Sequence, residues 1–198
     1  MISLFIDTSL SDVFISLLKD ERVLSTIHNN IPGEHSIYVT KYIEDILKSN
    51  NILPKQVNEI VVVNGPGSFT GIRIGVTIAK MFAYILKIRI VAITSLKARV
   101  IGKKGEYLLS TINAKHNNYY VGLYDKNYNN ILEEFLPKDE VDNIIKKYNP
   151  LVITEEENYD IEEIIKYTKR LESINPHVVN PIYLKLPEAM EKNDKRNW

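Results

Sequence analysis

Two short stretches place residue types where they could do chemistry. Asp7-Thr8-Ser9 follows an apolar run, so a carboxylate and two hydroxyls sit where a strand gives way to a turn. Such a turn can orient a metal-bound water or hold phosphate oxygens, but the glycine that phosphate turns normally carry is missing, and an aspartate at a strand end also serves simply as a turn-former. The second stretch, Gly65-Pro66-Gly67-Ser68-Phe69-Thr70-Gly71, separates a β-branched run ending at Asn64 from a helical pattern. Bare N–H groups at a helix start favour anions. Asp7, Thr8, Ser9, Gly65, Gly67, Ser68 and Thr70 therefore form a candidate phosphate-binding set, of a vestigial kind. The glycine loop falls one residue short of a dinucleotide fingerprint, follows the fourth strand instead of the first, and has no acidic residue about 20 positions on. No Lys-Ser or Lys-Thr follows its last glycine, so it is not a P-loop either.

Other chemistry is thin. His35 follows Glu34 at the start of a helix, where it could be a ligand or base, but a helical metal pair would need a second histidine at position 39, which is Val39. His28, His35, His116 and His177 are scattered and read as surface or capping residues. Ser68 lacks the Gly-x-Ser-x-Gly context of a nucleophile. Cysteine is absent, which excludes thiol catalysis and a disulfide framework. No catalytic residue and no metal site is expected of this chain.

The helix after the glycine loop has an unusual face. Gly67, Gly71, Gly75, Ala79 and Ala83 recur every fourth residue and make one stripe of small side chains. Ile72 and Val76 flank it on one side and Ile74, Ile78, Met81, Phe82 and Ile85 on the other, while Arg73, Thr77, Lys80, Tyr84 and Lys87 fall together on the far side. Glycine inside a helix costs about 0.5 to 1 kcal/mol relative to alanine, so something must approach this backbone closely. A neighbouring element of the same domain would satisfy that need, and so would the helix of a partner chain. Thr70 or Ser68 is the natural N-cap.

The elements that must position these residues follow from periodicity. Apolar runs at 2–6, 13–18 and 22–27, separated by polar turns, predict three strands. A helical pattern over 37–47 comes next, then a strand at 59–63, the glycine-striped helix over 71–87 and a strand at 88–93. The order β-β-β-α-β-α-β is that of a ribonuclease-H-like sheet, the half-unit of actin-like ATPases and sugar kinases. In an ATPase of that class Ile112-Asn113-Ala114-Lys115 would close a strand with a second carboxylate, and here it holds an amide. The second half predicts strands at 106–112, 119–125, 130–135 and 151–154, a helix over 139–148, a surface helix over 161–171 and a polar tail from 187 to 198. Gly102-Lys103-Lys104-Gly105 is the natural division, giving a ribonuclease-H-like domain over 1–103 and a reduced α/β domain over 104–198.

At 198 residues and 44% hydrophobic content the chain can bury a substantial core. Lysine plus arginine and aspartate plus glutamate each number 25, so no net field draws it to nucleic acid or to an acidic membrane, and any RNA contact would need a local patch. Short apolar runs and the lack of a basic-then-apolar leader predict neither a membrane span nor a signal peptide, and a cytoplasmic protein is expected.

Taken together, Asp7-Thr8-Ser9, Glu34-His35-Ser36, the run from Gly65 to Gly75, Thr94-Ser95-Leu96, Ile112-Asn113-Ala114-Lys115 and Pro181-Ile182-Tyr183-Leu184-Lys185 resemble the bacterial TsaB family, also called YeaZ. That resemblance implies an actin-like ATPase fold with a reduced second domain. It also implies a non-catalytic partner of TsaD, working with TsaE to place threonylcarbamoyl on the adenosine beside the tRNA anticodon. Pairing through helices of the N-terminal domains would put Gly71, Ile72, Gly75, Val76, Ala79 and Ala83 in a helix bundle between subunits, with a homodimer when the chain is alone. No cofactor is expected on this chain alone, ATP or ADP would be met at the interface of the complex, and tRNA only through the complex. Asn113-Ala114-Lys115 stands where the family usually has Asp-Ala-Arg, and the second half is short. An autonomous small ATPase using Asp7 and the glycine loop is the alternative reading, and a metallopeptidase-like protein a third.

Overall fold

The structure, a computed structural model, describes residues 1–30 and 35–185; Glu34, the His35 side chain and the expected tail over 187–198 lie outside it. Strand β1 (Ile2–Asp7) pairs antiparallel with β2 (Asp12–Lys19), and β2 with β3 (Arg22–Asn30). Strand β4 (Glu59–Val63) then adds parallel to β1, and β5 (Arg89–Ile93) parallel to β4. The order is β3-β2-β1-β4-β5, the ribonuclease-H-like sheet that the sequence pattern predicts. Its central strands are apolar on both faces because both faces are covered. On one side helices α1 (His35–Ser49) and α2 (Phe69–Leu86) pack Val39, Ile43, Ile46, Ile72, Val76, Ala79 and Ala83 against Leu4, Ile6, Ile60 and Val62.

The second sheet holds β6 (Tyr107–Asn113), β7 (Asn118–Asp125), β8 (Asn130–Pro137) and β9 (Leu151–Ile153) in the order β8-β7-β6-β9. Helix α4 (Lys138–Tyr148) lies against β7 and β8. Between the sheets sits α3 (Ser95–Val100), which sequence reasoning missed. Its start is signalled locally by Thr94, whose hydroxyl accepts from Lys97 N–H at 3.1 Å, but six residues are too few for a periodicity to show. Leu96 and Val100 of α3 join Leu108, Ile112 and Tyr124, while Ala98 joins the core of the first sheet.

Three expectations need correction. The surface helix over 161–171 is instead α5 (Ile161–Thr168), and Ile161, Ile164 and Ile165 close the second face of the first sheet against Phe5, Val61, Val63 and Val91. Consequently the sequence beyond Gly102-Lys103-Lys104-Gly105 is not a separate unit. After α5 the chain runs back along the first sheet as a strap: Ile174 N–H donates to Ile90 C=O at 3.0 Å, and Ile182 N–H to Asn64 C=O at 2.7 Å.

The third correction concerns the stripe on α2. Gly71, Ile72, Gly75, Val76, Ala79 and Ala83 are all buried in their own domain. A Cβ on Gly71 would overlap the Thr8 carbonyl oxygen, and one on Gly75 the Thr8 hydroxyl. Thr8 also donates from Oγ1 to Gly71 C=O at 2.7 Å. The close approach that the glycines require is made by the β1–β2 turn, so this face is not bare for another subunit. By length and composition α2 is also apolar enough to cross a membrane, but Ile72, Val76, Ile78, Ala79 and Ala83 are closed on the sheet.

Candidate functional site

The two halves of the candidate phosphate set do meet. Ser68 caps α2, accepting from Gly71 N–H at 3.2 Å, and its own N–H donates to Ser9 C=O at 2.6 Å. The loop before it turns through a cis Gly65–Pro66 bond and is held from the other side by Ser95, which donates from its N–H to Gly65 C=O at 2.8 Å and from its hydroxyl to Pro66 C=O at 2.5 Å. Gly67 takes φ +155°, and a Cβ there would overlap Ser9 C=O. Thus the backbone of Ser9 and Ser68 joins the two halves, Thr8 and Gly65 are held by Gly71 and Ser95, the Ser9 hydroxyl is buried without a hydrogen-bond partner, and of the loop half only Ser68 and Thr70 are exposed.

Asp7 is likewise occupied. It is 5% exposed, with Oδ1 accepting from Ser9 N–H at 2.7 Å and Oδ2 from the Tyr159 hydroxyl at 2.5 Å. Tyr159, just before α5, is wedged edge-on against Phe5 and Phe14 with centroids 5.5 and 5.4 Å away. The buried Arg99 guanidinium lies 4.9 Å over its ring and donates from Nη1 to the carbonyls of Glu155 and Glu157 at 2.9 and 3.2 Å. Burial, followed by the Asp7 charge, pushes the Tyr159 hydroxyl well above the ordinary tyrosine range, so it stays a neutral donor. Beside this plug a cavity of about 280 Å³ is lined by Asp7, Asp12, His28, Asn30 and Arg99, and His28 Nε2 pairs with Asp12 at 2.8 Å. Sequence reasoning missed Tyr159 and Arg99. Nothing local marks them, because Tyr159 meets Asp7 across 152 residues of chain.

A larger cleft of about 770 Å³ opens between the sheets. Ser68, Thr70 and Ile74 line it from the α2 end, and Asn113 and Lys115 from the β6–β7 turn. Asn113 Oδ1 accepts from Lys115 N–H at 2.8 Å, so the amide that replaces the expected carboxylate shapes a turn in which Lys115, His116 and Asn117 all have positive φ. At the mouth the Phe69 and Tyr183 rings stack at 4.6 Å, the Arg73 guanidinium lies 3.9 Å over Phe69, and its Nε donates to the Tyr183 hydroxyl at 2.8 Å. Among the described residues no three His, Cys, Asp or Glu side chains gather closely enough to hold a metal.

Comparison with known proteins agrees with this architecture. The family model described as TsaD, tRNA N6-adenosine threonylcarbamoyltransferase, matches residues 26–166. The tRNA threonylcarbamoyladenosine biosynthesis protein TsaB of Bacillus subtilis is 36% identical over 71% of this chain and 62% of its own length. That of Buchnera aphidicola subsp. Schizaphis graminum is 33% identical over 64% of this chain and 61% of its own. The matches thus span about three fifths of these relatives. A crystal structure of an uncharacterized protein with similarity to peptidase YEAZ from Pseudomonas aeruginosa superposes with a TM-score of 0.76 at 20% identity, covering 93% of this chain and 99% of that one, a likeness of fold alone. The family model and the relative that is 36% identical over 71% of this chain lead to one assignment: the chain belongs to the TsaB (YeaZ) family, with the actin-like, ribonuclease-H-like ATPase fold.

Proposed function

We propose that this chain takes part in tRNA threonylcarbamoyladenosine biosynthesis as a non-catalytic cytoplasmic subunit that pairs with a TsaD-like transferase, with a TsaE-like protein as third component. The observation that carries this reading is the state of Asp7. A carboxylate that is to orient a metal-bound water is expected to be open to it, and here Asp7 is 5% exposed, with one oxygen accepting from Ser9 N–H and the other from the buried Tyr159 hydroxyl. The chemistry then has to come from the partner.

Pairing is supported by the outer faces of the same helices whose inner faces are closed. Met81 and Ile85, one turn apart on α2, are 44% and 65% exposed, and Ile37 at the start of the adjoining α1 is 65% exposed; large apolar side chains left in water mark a surface that gains from being covered. The contact surface therefore shifts from the stripe to its opposite flank, and the lone chain is expected to self-associate there. ATP or ADP would be met at the shared face, beside the α2 N-terminus, and not bound by this chain alone.

Reconstitution tests the reading. Threonylcarbamoylation of unmodified tRNA by the TsaD-like and TsaE-like proteins should require this chain, and calorimetric titration of the chain alone with ATP and magnesium should show no micromolar binding. Turnover of ATP by the isolated chain would support the small-ATPase alternative instead.

A further inference from the structure

The far side of α2, carrying Arg73, Thr77, Lys80, Tyr84 and Lys87, is used neither by the core nor by the apolar pairing flank. Although the whole chain is neutral, residues 60–105 contain eight lysines and arginines and no aspartate or glutamate, and residues 173–185 contain no acid either. These two segments meet along this side: Lys80 Nζ donates to His177 C=O at 3.2 Å, Tyr84 and His177 rings touch edge-on at 5.0 Å, and Arg73 reaches Tyr183. Elsewhere on the surface several cations find carboxylates, as in Arg22 with Glu162, Lys103 with Glu157, Lys138 with Asp142 and Lys166 with Glu163. Arg73, Lys80 and Lys87 form no ion pair among the described residues, and neither of the two segments that meet here carries an acid. Their seven-residue spacing sets them about 10 Å apart along the helix axis. Beside them stand Tyr84, 61% exposed with His177 against it edge-on, and Tyr183, 36% exposed with one face stacked on Phe69.

From this arrangement we infer that the ridge formed by Arg73, Lys80, Lys87, Tyr84 and Tyr183 binds an RNA backbone, with the two rings available for base stacking. Uncompensated cations in a row release counterions when they meet phosphates, and tyrosine faces stack on any base. An anionic membrane would match the charge, but it would also ask for bulky apolar side chains on the ridge to enter the acyl layer, and Thr77 with the hydroxylated rings stands there instead. The hydrogen bonds to the strap hold Arg73 and Lys80 in place before any ligand arrives, which lowers the ordering cost of binding. The inference rests on the proposed role in tRNA modification and goes beyond it, since it gives this chain direct contact with the RNA.

The test measures the binding of unmodified tRNA transcript, as a function of salt, to the full chain alone and to its mixture with the TsaD-like protein. Replacing Arg73, Lys80 and Lys87 together by glutamate should weaken tRNA binding at least about tenfold near 0.1 M salt and flatten the plot of log affinity against log salt by about 2, as expected for three lost phosphate contacts. A second variant, Tyr84→Ala with Lys87→Gln, spares the strap hydrogen bonds and should still weaken binding, so a folding defect in the first cannot mimic the result. Lys126→Glu, Lys138→Glu and Lys146→Glu, combined as an equal charge change on the second sheet's side, should leave binding as in the natural chain. Unchanged affinity and slope in both ridge variants overturns the inference, as does loss of binding to phosphatidylserine vesicles while tRNA binding persists. Co-elution with the TsaD-like protein, scored separately, reports on pairing, so failure of that reading is distinguishable from failure of this one.

Discussion

The inward and outward faces of α2 answer to different constraints. Inward, Gly71, Gly75, Ala79 and Ala83 are small because the β1–β2 turn and the sheet press on the backbone, with Thr8 occupying the space that side chains would need. Outward, Met81, Tyr84 and Ile85 are large and exposed, with nothing in the chain obliging them to be so. A row of small residues reports a close neighbour without saying whose it is. Large apolar side chains left in water are the better sign of a missing partner.

Enlarging the inward face should break the molecule outright. Gly75→Leu drives a branched side chain into Thr8 in a closed core, and a loss of about 3 kcal/mol or more, or failure to fold, is expected in urea titrations. If Gly75→Leu folds with natural stability, the inner face is looser than the geometry indicates. Charging the outward face should do the opposite. Met81→Glu with Ile85→Glu should change stability by no more than about 0.5 kcal/mol, while costing about 2 kcal/mol of pairing, some thirtyfold in dissociation constant by analytical ultracentrifugation with the TsaD-like protein. Equal pairing by this double variant would move the contact surface elsewhere.

Smaller effects sharpen the account of the turn that presses on α2. Tyr159→Phe keeps the ring contacts but leaves Asp7 Oδ2 without its donor, for an expected loss of about 1.5 kcal/mol at neutral pH. The smallest effect concerns alkaline pH. Burial, then Asp7, raises the Tyr159 hydroxyl, and burial, then Glu133, raises that of Tyr124. Below about pH 10 both stay protonated in the folded and unfolded states, and their contribution to stability is intact. Above it the unfolded chain ionises first, so stability should fall by about 1.4 kcal/mol per pH unit for each tyrosine. Tyr159→Phe should remove one of these two contributions from the alkaline slope of the unfolding free energy, and an unchanged slope would mean that Tyr159 is not held neutral by the fold.

Local pattern carried a good deal of this. Alternating and continuous apolar runs predict the first sheet in its order, the Gly65 to Gly71 loop predicts a turn into a capped helix, and Ser68 is the cap that forms. The amide at Asn113, in place of a carboxylate, is also visible in the sequence itself. These features are set by residues within one or two turns of each other, where backbone sterics and hydrogen-bond geometry leave few choices.

What covers a face is a different matter, decided only in the folded chain. That Thr8 fills the glycine stripe, that α5 closes the back of the first sheet and that Tyr159 seals Asp7 all depend on contacts between residues far apart in sequence, 63 apart for Thr8 with Gly71 and 152 for Tyr159 with Asp7. Periodicity shows that a surface must be buried, but burial is non-directional and any apolar or close-fitting neighbour satisfies it. The choice of neighbour is made by how the whole chain packs, and here that packing turned a ridge expected to await a partner into the inner wall of its own domain.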